Sequence, residues 1–236
     1  LCENDEKEYV AELLLGTVTN TQDITGEVLE QKPVDVSRQQ LESVLAQFMG
    51  PQQQVPPMYS AVKIDGRKLY ELARKGQSVE RKPRNIVIHQ LELQEFDGKT
   101  ARLRVVCSKG TYIRTLCHDI GAALGVGGCL SSLRRTRAGM FSIDACVTME
   151  EIQTAREQET HMALLRPVDS LFSQYSALYL GEKETLRCKN GAENAIPGMP
   201  DGSYRVYGPG NEFLMLGQCQ SGVLRTVKSF FEVKEG

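Results

Sequence analysis

The chain has 236 residues, of which 28 are Lys or Arg and 30 are Asp or Glu, and its formal net charge is −2. It is 41% hydrophobic and 25% charged, which is typical of a globular protein. No run of 18 apolar residues is present, which excludes a membrane-spanning helix of ordinary length, and the small net charge does not by itself indicate a nucleic-acid partner.

The first half of the chain alternates strand-like and helix-like patterns. Residues 9–16 have a strand pattern and residues 19–27 form a polar loop. The segment 37–50 predicts a helix with Ser37 as its N-cap. After a proline-rich stretch, we expect a short strand over 59–64, a turn at Asp65-Gly66 and a helix over 67–76.

The second half begins with a predicted β-hairpin over 85–96 and 101–107, which an Asp97-Gly98 turn joins. A helix follows Lys109-Gly110, strand character returns over 129–144, and a helix lies near 148–159. From residue 175 short strands alternate with Gly and Pro. The pattern therefore predicts two domains, 1–172 and a small β-rich domain over 175–236.

Cysteine and histidine spacing gives no sign of a metal site. The seven cysteines are odd in number and contain no CxxC pair, which favours buried reduced thiols in a cytosolic protein. The three histidines lie far apart in the sequence and lack metal-ligand spacing.

Positive charge is concentrated in two segments, 62–84 and 102–137. The first contains eight cations against three acidic residues, and the second contains seven against one. A charged run is usually a solvated face. Two such segments in one domain could instead form a track for phosphates, and the composition does not decide between these interpretations.

One segment, 107-CSKGTYIRTLCHDIGAALG-125, places Tyr112 and Arg114 where a strand turns into a helix. The N-terminus of a helix has partial positive charge, so an arginine in the first turn is mildly unfavourable unless an anion pairs with it. We therefore expect a carboxylate or phosphate near Arg114. The alternative is a surface arginine whose head lies in water.

Five blocks in this order give the chain a specific resemblance. It resembles the TruB family of tRNA pseudouridine synthases, and the matching blocks cover most of residues 7–170: 7-KEYVAELLLG-16, 19-TNTQDITGE-27, 56-PPMYSAVKIDGRKLYELARKG-76, 107-CSKGTYIRTLCHDIGAALG-125 and 133-LRRTRAGMFSI-143. The last sixty residues match more loosely and look like a PUA-like RNA-binding domain.

The resemblance implies an α/β (α+β) fold, with a mixed, mostly antiparallel sheet, flanking helices and the small C-terminal domain. It also implies an isomerase without a cofactor that converts uridine 55 in the T-arm of tRNA to pseudouridine. The uridine must leave the base stack before the reaction. We accordingly expect a monomeric cytoplasmic protein whose partner is tRNA and which needs neither a protein partner nor a membrane.

The resemblance also assigns site residues by motif position. Tyr9 would stack on the flipped uracil, and Tyr112 and Leu133 would line the same pocket. Arg114 would pair with the catalytic aspartate, and Lys63 would lie in a supporting strand near the site.

One family motif is missing from residues 1–236. The nucleophilic aspartate of the family lies in a G-[RT]-L-D-P loop, which this sequence does not contain. Asp23 belongs to a different family block, and Asn20 stands where an aspartate is expected. We therefore expect that the chain begins inside a domain, that Arg114 lacks the nucleophilic aspartate as its expected partner and that residues 1–236 alone are inactive.

Two alternatives to an enzyme remain. One is a non-catalytic tRNA-binding or tRNA-folding protein of the same fold. The other is an α/β domain with two basic faces and no RNA partner, which salt-dependent affinity for tRNA would contradict.

Overall fold

The computed structural model describes residues 6–64 and 66–231. The chain divides into two compact units, Leu1–Cys146 and Val147–Gly236. No helix in the described ranges is long and apolar enough to cross a membrane.

The first unit is built on a sheet with the strand order β10-β9-β1-β8-β7-β4, in which all neighbouring strands are antiparallel. Its elements in chain order are β1 (Lys7–Leu15), β2 (Thr17–Thr19), β3 (Val28–Gln31), α1 (Arg38–Gln47), β4 (Gly50–Gln54), β5 (Lys63–Ile64), β6 (Arg67–Lys68), α2 (Leu69–Ala73), β7 (Arg84–Phe96), β8 (Thr100–Cys107), α3 (Ile113–Ala123), β9 (Gly128–Ala138) and β10 (Phe141–Ser142).

The central strand β1 turns one face toward the main core. Ala11, Leu13 and Leu15 alternate along this face and are fully buried, as expected for a strand whose side chains point in turn to opposite faces. The same core contains apolar residues of α1 and α3. The helices therefore cover one face of the sheet, and the opposite face contains charged side chains such as the paired Glu8 and Arg104.

Helix α1 confirms the predicted N-cap. The Ser37 hydroxyl accepts a hydrogen bond from the Gln40 backbone N–H, and the Gln40 side chain accepts one from the Ser37 N–H. This reciprocal capping box satisfies two donors that the helix itself cannot pair. Leu41 and Leu45 of its apolar stripe are buried.

Helix α3 packs very closely on the start of β9. A Cβ atom added to Gly121 would lie 2.3 Å from the Gly128 backbone nitrogen. Only glycine permits this approach, which fixes the position of α3 on the sheet. The turn before α3 needs Gly110, whose φ of 82° lies in the left-handed region.

The region 50–76 differs most from the sequence-based expectation. Regular strand structure in 59–64 is restricted to β5, and the helix expected over 67–76 is only the short α2. The predicted turn includes Asp65, which lies outside the described residues. The β2–β3 hairpin and the edge strand β4 were not predicted, because neither has an alternating apolar pattern.

The second unit contains a sheet with the order β11-β13-β14-β15-β12, and its β11–β13 pair is parallel. Its elements are α4 (Met149–Glu157), 3-10 helices at His161–Leu164 and Val168–Phe172, β11 (Ser176–Tyr179), α5 (Glu182–Lys189), β12 (Asn194–Ala195), β13 (Gly202–Tyr207), β14 (Phe213–Gln220) and β15 (Val223–Ser229). The α/β fold with antiparallel sheets and a β-rich C-terminal domain is thus confirmed, while α5 was missed.

The two compact units of the structure meet between Cys146 and Val147. The sequence pattern instead places the domain boundary between residues 172 and 175. Phe172 is 3% exposed and packs its ring against Phe213 and Phe230, with ring centroids 6.0 and 5.6 Å apart. The Tyr207 hydroxyl also donates a 2.6 Å hydrogen bond to Asp169. These contacts tie residues 168–172 to the C-terminal sheet.

Candidate active site at the N-terminus of helix α3

Arg114 lies in the first turn of α3 and is paired with a carboxylate. Its Nη1 lies 2.9 Å from Asp23 Oδ2, and its Nη2 donates a 2.7 Å hydrogen bond to the Tyr59 carbonyl oxygen. The side chains of Arg114 and Asp23 are 25% and 19% exposed. The loop after β2 thus supplies the anion that an arginine in the first helical turn is expected to need, while the pairing of Arg114 with the family's nucleophilic aspartate stays a prediction.

Asp23 is held by a dense set of donors. Its Oδ1 accepts hydrogen bonds from the Thr21 hydroxyl, from the Thr25 hydroxyl and from the Thr25 backbone N–H. Burial raises the pKa of the Asp23 carboxyl, but hydrogen bonds from Thr25, Arg114 and Thr21 outweigh it, so the net pKa lies below the ordinary 3.8. Asp23 is consequently ionised at neutral pH with both oxygens engaged.

This pKa shift predicts how Asp23 contributes to stability. A carboxyl whose pKa is depressed on folding stabilises the protein above its unfolded pKa, and this contribution is lost as pH falls through the folded pKa. We expect Asp23→Asn to lower the free energy of unfolding by about 1–2 kcal/mol at pH 7. The difference from wild type should shrink below pH 4, as measured by urea unfolding between pH 7 and 3.

Further contacts fix the loop 19–25 against α3 and β9. The Thr115 hydroxyl donates a 2.7 Å hydrogen bond to Gln22 Oε1, and the backbone at Asp23 forms a parallel bridge with Leu130 of β9. The unexpected Asn20 closes the loop, since its Oδ1 accepts a 3.0 Å hydrogen bond from the Glu27 N–H. A neutral amide oxygen can accept this bond, as a carboxylate oxygen could.

Tyr9 and Leu133 lie on the sheet face that α3 covers. Tyr9 is opposite Arg135, and Leu133 is opposite the buried Ala11. Directly opposite residues of antiparallel strands share a face, and the diagonal Tyr9–Leu133 pair is about 7–8 Å apart at Cα. Tyr9 packs against the core, whereas Leu133 is 45% exposed. The half-buried Tyr9 ring thus lies on the same sheet face as the exposed Leu133 side chain.

Arg114 is connected to this patch through β9. Asp23, its partner, is bridged to Leu130, which lies three residues before Leu133. Three strand residues span about 10 Å. Tyr112 is the N-cap residue of α3 and lies two positions before Arg114. These contacts attach the N-terminus of α3 to β9, the strand that contains Leu133 and pairs with β1. The convergence of Tyr9, Tyr112, Arg114 and Leu133 on one pocket stays a prediction.

Lys63 is not joined to that region by the contacts of the described residues. It is exposed on β5 and lines a cleft of about 520 Å³, whose other charged residues are Glu80, Arg81, Lys82 and Arg84. Tyr59, four residues before Lys63, is the nearest residue of this segment that contacts Arg114. The structure thus places Lys63 in a predominantly basic cleft, and its supporting role near the site stays a prediction.

The arginines after Leu133 divide between the two faces of the sheet. Arg135 is opposite Tyr9, on the side of α3, whereas Arg134 and Arg137 are opposite Val10 and Glu8 on the charged side. Arg135 is therefore the one of these three arginines that shares a sheet face with Tyr9.

Burial raises the pKa of the Tyr9 hydroxyl above its ordinary 10.0, so the hydroxyl remains protonated at neutral pH.

The two basic segments differ in how their charge is balanced. In the second, Arg102, Arg104 and Arg137 pair with glutamates. In the first, none of the eight cations forms an ion pair within residues 6–64 and 66–231; they are Lys63, Arg67, Lys68, Arg74, Lys75, Arg81, Lys82 and Arg84. We call this set the 63–84 basic surface.

The part of the chain that the structure describes holds no group of three or more His, Cys, Asp or Glu side chains arranged to bind a metal ion. The six cysteines in it are free thiols, and five of them are buried.

Sequence reasoning missed two residues of this region, Asp23 as a partner and Gln54. The 21-TQDIT-25 pattern could have indicated Asp23, because two hydroxyl residues flank one carboxylate at the spacing of a local turn. Gln54 contacts the backbone of Tyr112 from a segment far away in sequence, and no local signal indicates it.

Comparison with known proteins gives a consistent result. The family profile described as TruB family pseudouridylate synthase (N terminal domain) matches residues 1–113, and the tRNA pseudouridylate synthase B C-terminal domain matches 114–173. tRNA pseudouridine synthase B of Azoarcus sp. (strain BH72) is 46% identical over 220 residues, which are 93% of this chain and 73% of the relative. The same-named protein of Stutzerimonas stutzeri (strain A1501) is 46% identical over 90% of this chain and 71% of the relative.

Solved structures agree in fold. A chain of a Cbf5–Nop10–Gar1 complex superposes with a TM-score of 0.66 at 23% identity, over 97% of this chain and 68% of that chain. A chain of an H/ACA RNP bound to a substrate RNA containing 2′-deoxyuridine gives 0.66 at 21% identity, over 98% and 68%.

Proposed function

The chain belongs to the TruB family of pseudouridine synthases, and on that basis we propose that it isomerises uridine 55 in the T-arm of tRNA. The reaction breaks the N1–C1′ glycosidic bond, turns the uracil and joins it again through C5, which releases the C5 hydrogen as a proton. Its relatives are tRNA pseudouridine synthases; the choice of position 55 is our proposal.

The observation that carries the proposal is the fixed guanidinium of Arg114. Asp23 and the Tyr59 carbonyl hold it from two sides, and these contacts occupy no more than three of its five N–H groups. A guanidinium with free N–H groups in a partly exposed position can bind and orient a further carboxylate. We assign Arg114 this role toward the catalytic aspartate.

Aromatic and apolar side chains beside Arg114 suit a base that has left its stack. Unstacking costs a few kcal/mol, and stacking on an aromatic ring recovers about 1–3 kcal/mol. In our proposal Tyr9 provides this ring, and Tyr112 and Leu133 border the uracil. The protonated Tyr9 hydroxyl keeps the ring uncharged next to a neutral base.

Asp23 fits a supporting role better than that of a nucleophile. Both of its carboxylate oxygens accept hydrogen bonds, so attack on a sugar or base would require those bonds to break. The nucleophilic aspartate that the family resemblance implies stays a prediction, and residues 1–236 alone are expected to form no pseudouridine.

Tritium release tests the function directly. tRNA labelled at C5 of its uridines is incubated with the complete gene product, and we expect about one tritium released per tRNA. Replacing uridine 55 by cytidine should abolish release, and continued release would contradict the assignment of position 55. Release by residues 1–236 alone would make a carboxylate of this chain the nucleophile.

The 63–84 basic surface predicts how tRNA binding depends on salt. Each lost phosphate contact lowers the slope of log K against log salt by about 0.7–0.9. Replacing Lys63, Lys82 and Arg84 by glutamine should therefore reduce the slope by about 2–3 and weaken tRNA binding at 100 mM salt, as measured by filter binding.

A matched control makes the same charge change elsewhere. Lys32, Arg38 and Arg102 are cations of the same unit that already pair with glutamates. Their replacement by glutamine should leave the slope unchanged. An equal effect of both triple variants would mean that only net charge matters and that no basic surface is involved.

We also propose that the enzyme acts on tRNA as a monomer in the cytoplasm and without a protein partner. The solved structures of similar fold are chains within complexes. Activity of the purified protein alone, with a monomeric mass by light scattering, would support this proposal, and a strict requirement for a second protein would contradict it.

A further inference from the structure

The side chain of Gln54 reaches from the end of β4 to the N-cap residue of α3. Gln54 is 5% exposed. Its Oε1 accepts a 2.8 Å hydrogen bond from the Tyr112 backbone N–H, and its Nε2 donates a 3.1 Å hydrogen bond to the Tyr112 carbonyl oxygen. The backbone N–H can only donate, so the orientation of the amide is determined.

This pair of bonds replaces a strand partner. Tyr112 has an extended backbone, with φ −96° and ψ 106°, so its N–H and C=O are arranged as in a β-strand. In an antiparallel sheet a neighbouring residue would exchange both bonds with it. Here the amide of one side chain supplies both. Tyr112 has no side-chain cap of its own, and its carbonyl also accepts the first helical bond, from Leu116.

The segment that contains Gln54 holds α3 at a second point. Five residues later, the Tyr59 carbonyl accepts the hydrogen bond from Arg114 Nη2. One short segment therefore fixes the backbone from which the Tyr112 ring projects and also one side of the Arg114 guanidinium. The preceding residue, Gln53, is exposed.

We propose that Gln54 is a positioning residue for the isomerisation reaction, which aligns Tyr112 and Arg114 through the backbone of α3. The inference rests on the proposed function and adds a residue to its site. Gln54 contacts neither of the two reacting groups in our account, the base and the catalytic carboxylate, so its effect must pass through the residues that do.

Gln54→Met tests this role because methionine matches glutamine in length and lacks both hydrogen-bonding groups. Displacing reacting groups by about 1 Å can lower a rate by about 100-fold. We expect kcat of the complete gene product to fall by about 10–100-fold, while KM for tRNA stays within about threefold. Gln53→Met is the matched control and should leave both constants unchanged.

A second variant separates hydrogen bonding from packing. Gln54→Glu keeps the length of the side chain and the acceptor for the Tyr112 N–H, but its ionised carboxylate places an oxygen without a proton against the Tyr112 carbonyl oxygen. Its kcat should therefore also fall well below that of wild type. Rates are expressed per folded molecule, with the folded fraction taken from circular dichroism at the assay temperature, so the Glu variant still tests the inference if the Met variant does not fold.

The outcomes distinguish this inference from the proposed function. An active wild type with unchanged kcat in a folded Gln54 variant would overturn the positioning role alone. A rise in KM with kcat unchanged would also overturn it, because that result would indicate a role in tRNA binding. An inactive wild type would overturn the proposed function and, with it, the role of Gln54.

Discussion

Arg114→Lys and Arg114→Ala are both expected to lower kcat of the complete gene product by at least about 100-fold. Removing one preorganised electrostatic group from an active site typically costs 10²–10³-fold. Lysine does not restore the function, because a single ammonium cannot bond Asp23, the Tyr59 carbonyl and a further carboxylate with the fork geometry of a guanidinium. Single-turnover pseudouridine formation measures the effect.

Two controls separate a catalytic effect of the Arg114 variants from a general effect of changing an arginine or of lost stability. Arg102→Lys changes an exposed arginine of β8 whose partner, Glu95, lies 3.9 Å away, and it should leave kcat unchanged. Arg114→Ala also leaves the mostly buried Asp23 unpaired, so its melting temperature should fall. If Arg114→Lys retained more than about a tenth of wild-type kcat, the arginine would not orient the nucleophile.

Tyr9→Ala is expected to lower kcat/KM by about 5–150-fold, the range that corresponds to losing one base–aromatic stack of about 1–3 kcal/mol. Tyr9 lies half-buried between Val105 and Arg135 on neighbouring strands, so alanine also removes part of the core. A loss of fold is separated from a loss of function by thermal unfolding of the same preparations.

Tyr9→Phe is the control for the Tyr9 prediction. It keeps the ring and removes only the hydroxyl, which is protonated at neutral pH. We expect its kcat/KM to stay within about threefold of wild type. Equal losses in the Phe and Ala variants would show that the hydroxyl, and not the ring face, is what the reaction requires.

The sequence predicted the parts of the fold that have strong local periodicity. The β7–β8 hairpin was predicted because Asp97 and Gly98 have specific turn roles: Asp97 Oδ1 accepts bonds from Lys99 and Thr100, and Gly98 has a φ of 97°. Helix α3 was predicted because its apolar residues recur at the helical period. Strand β4, with the sequence GPQQQ, forms only through pairing with β7, so its own sequence gave no signal.

The site was predictable where a physical conflict was visible in the sequence. A cation in the first turn of α3 requires an anion, and the structure provides Asp23. The sequence alone could not identify Asp23 as the partner of Arg114, because the two residues are separated by 91 positions. The family resemblance implied that Arg114 pairs with the nucleophilic aspartate, so Asp23 was not considered as its partner.

A structure of the complete gene product bound to a T-arm stem-loop with 5-fluorouridine at position 55 tests the central claim most directly, because fluorine at C5 cannot leave as a proton. The account predicts the flipped base against the Tyr9 ring, bordered by Tyr112 and Leu133, with the Arg114 guanidinium within 4 Å of a second carboxylate besides Asp23. A base that remains stacked in the loop, or that binds away from the N-terminus of α3, would contradict it.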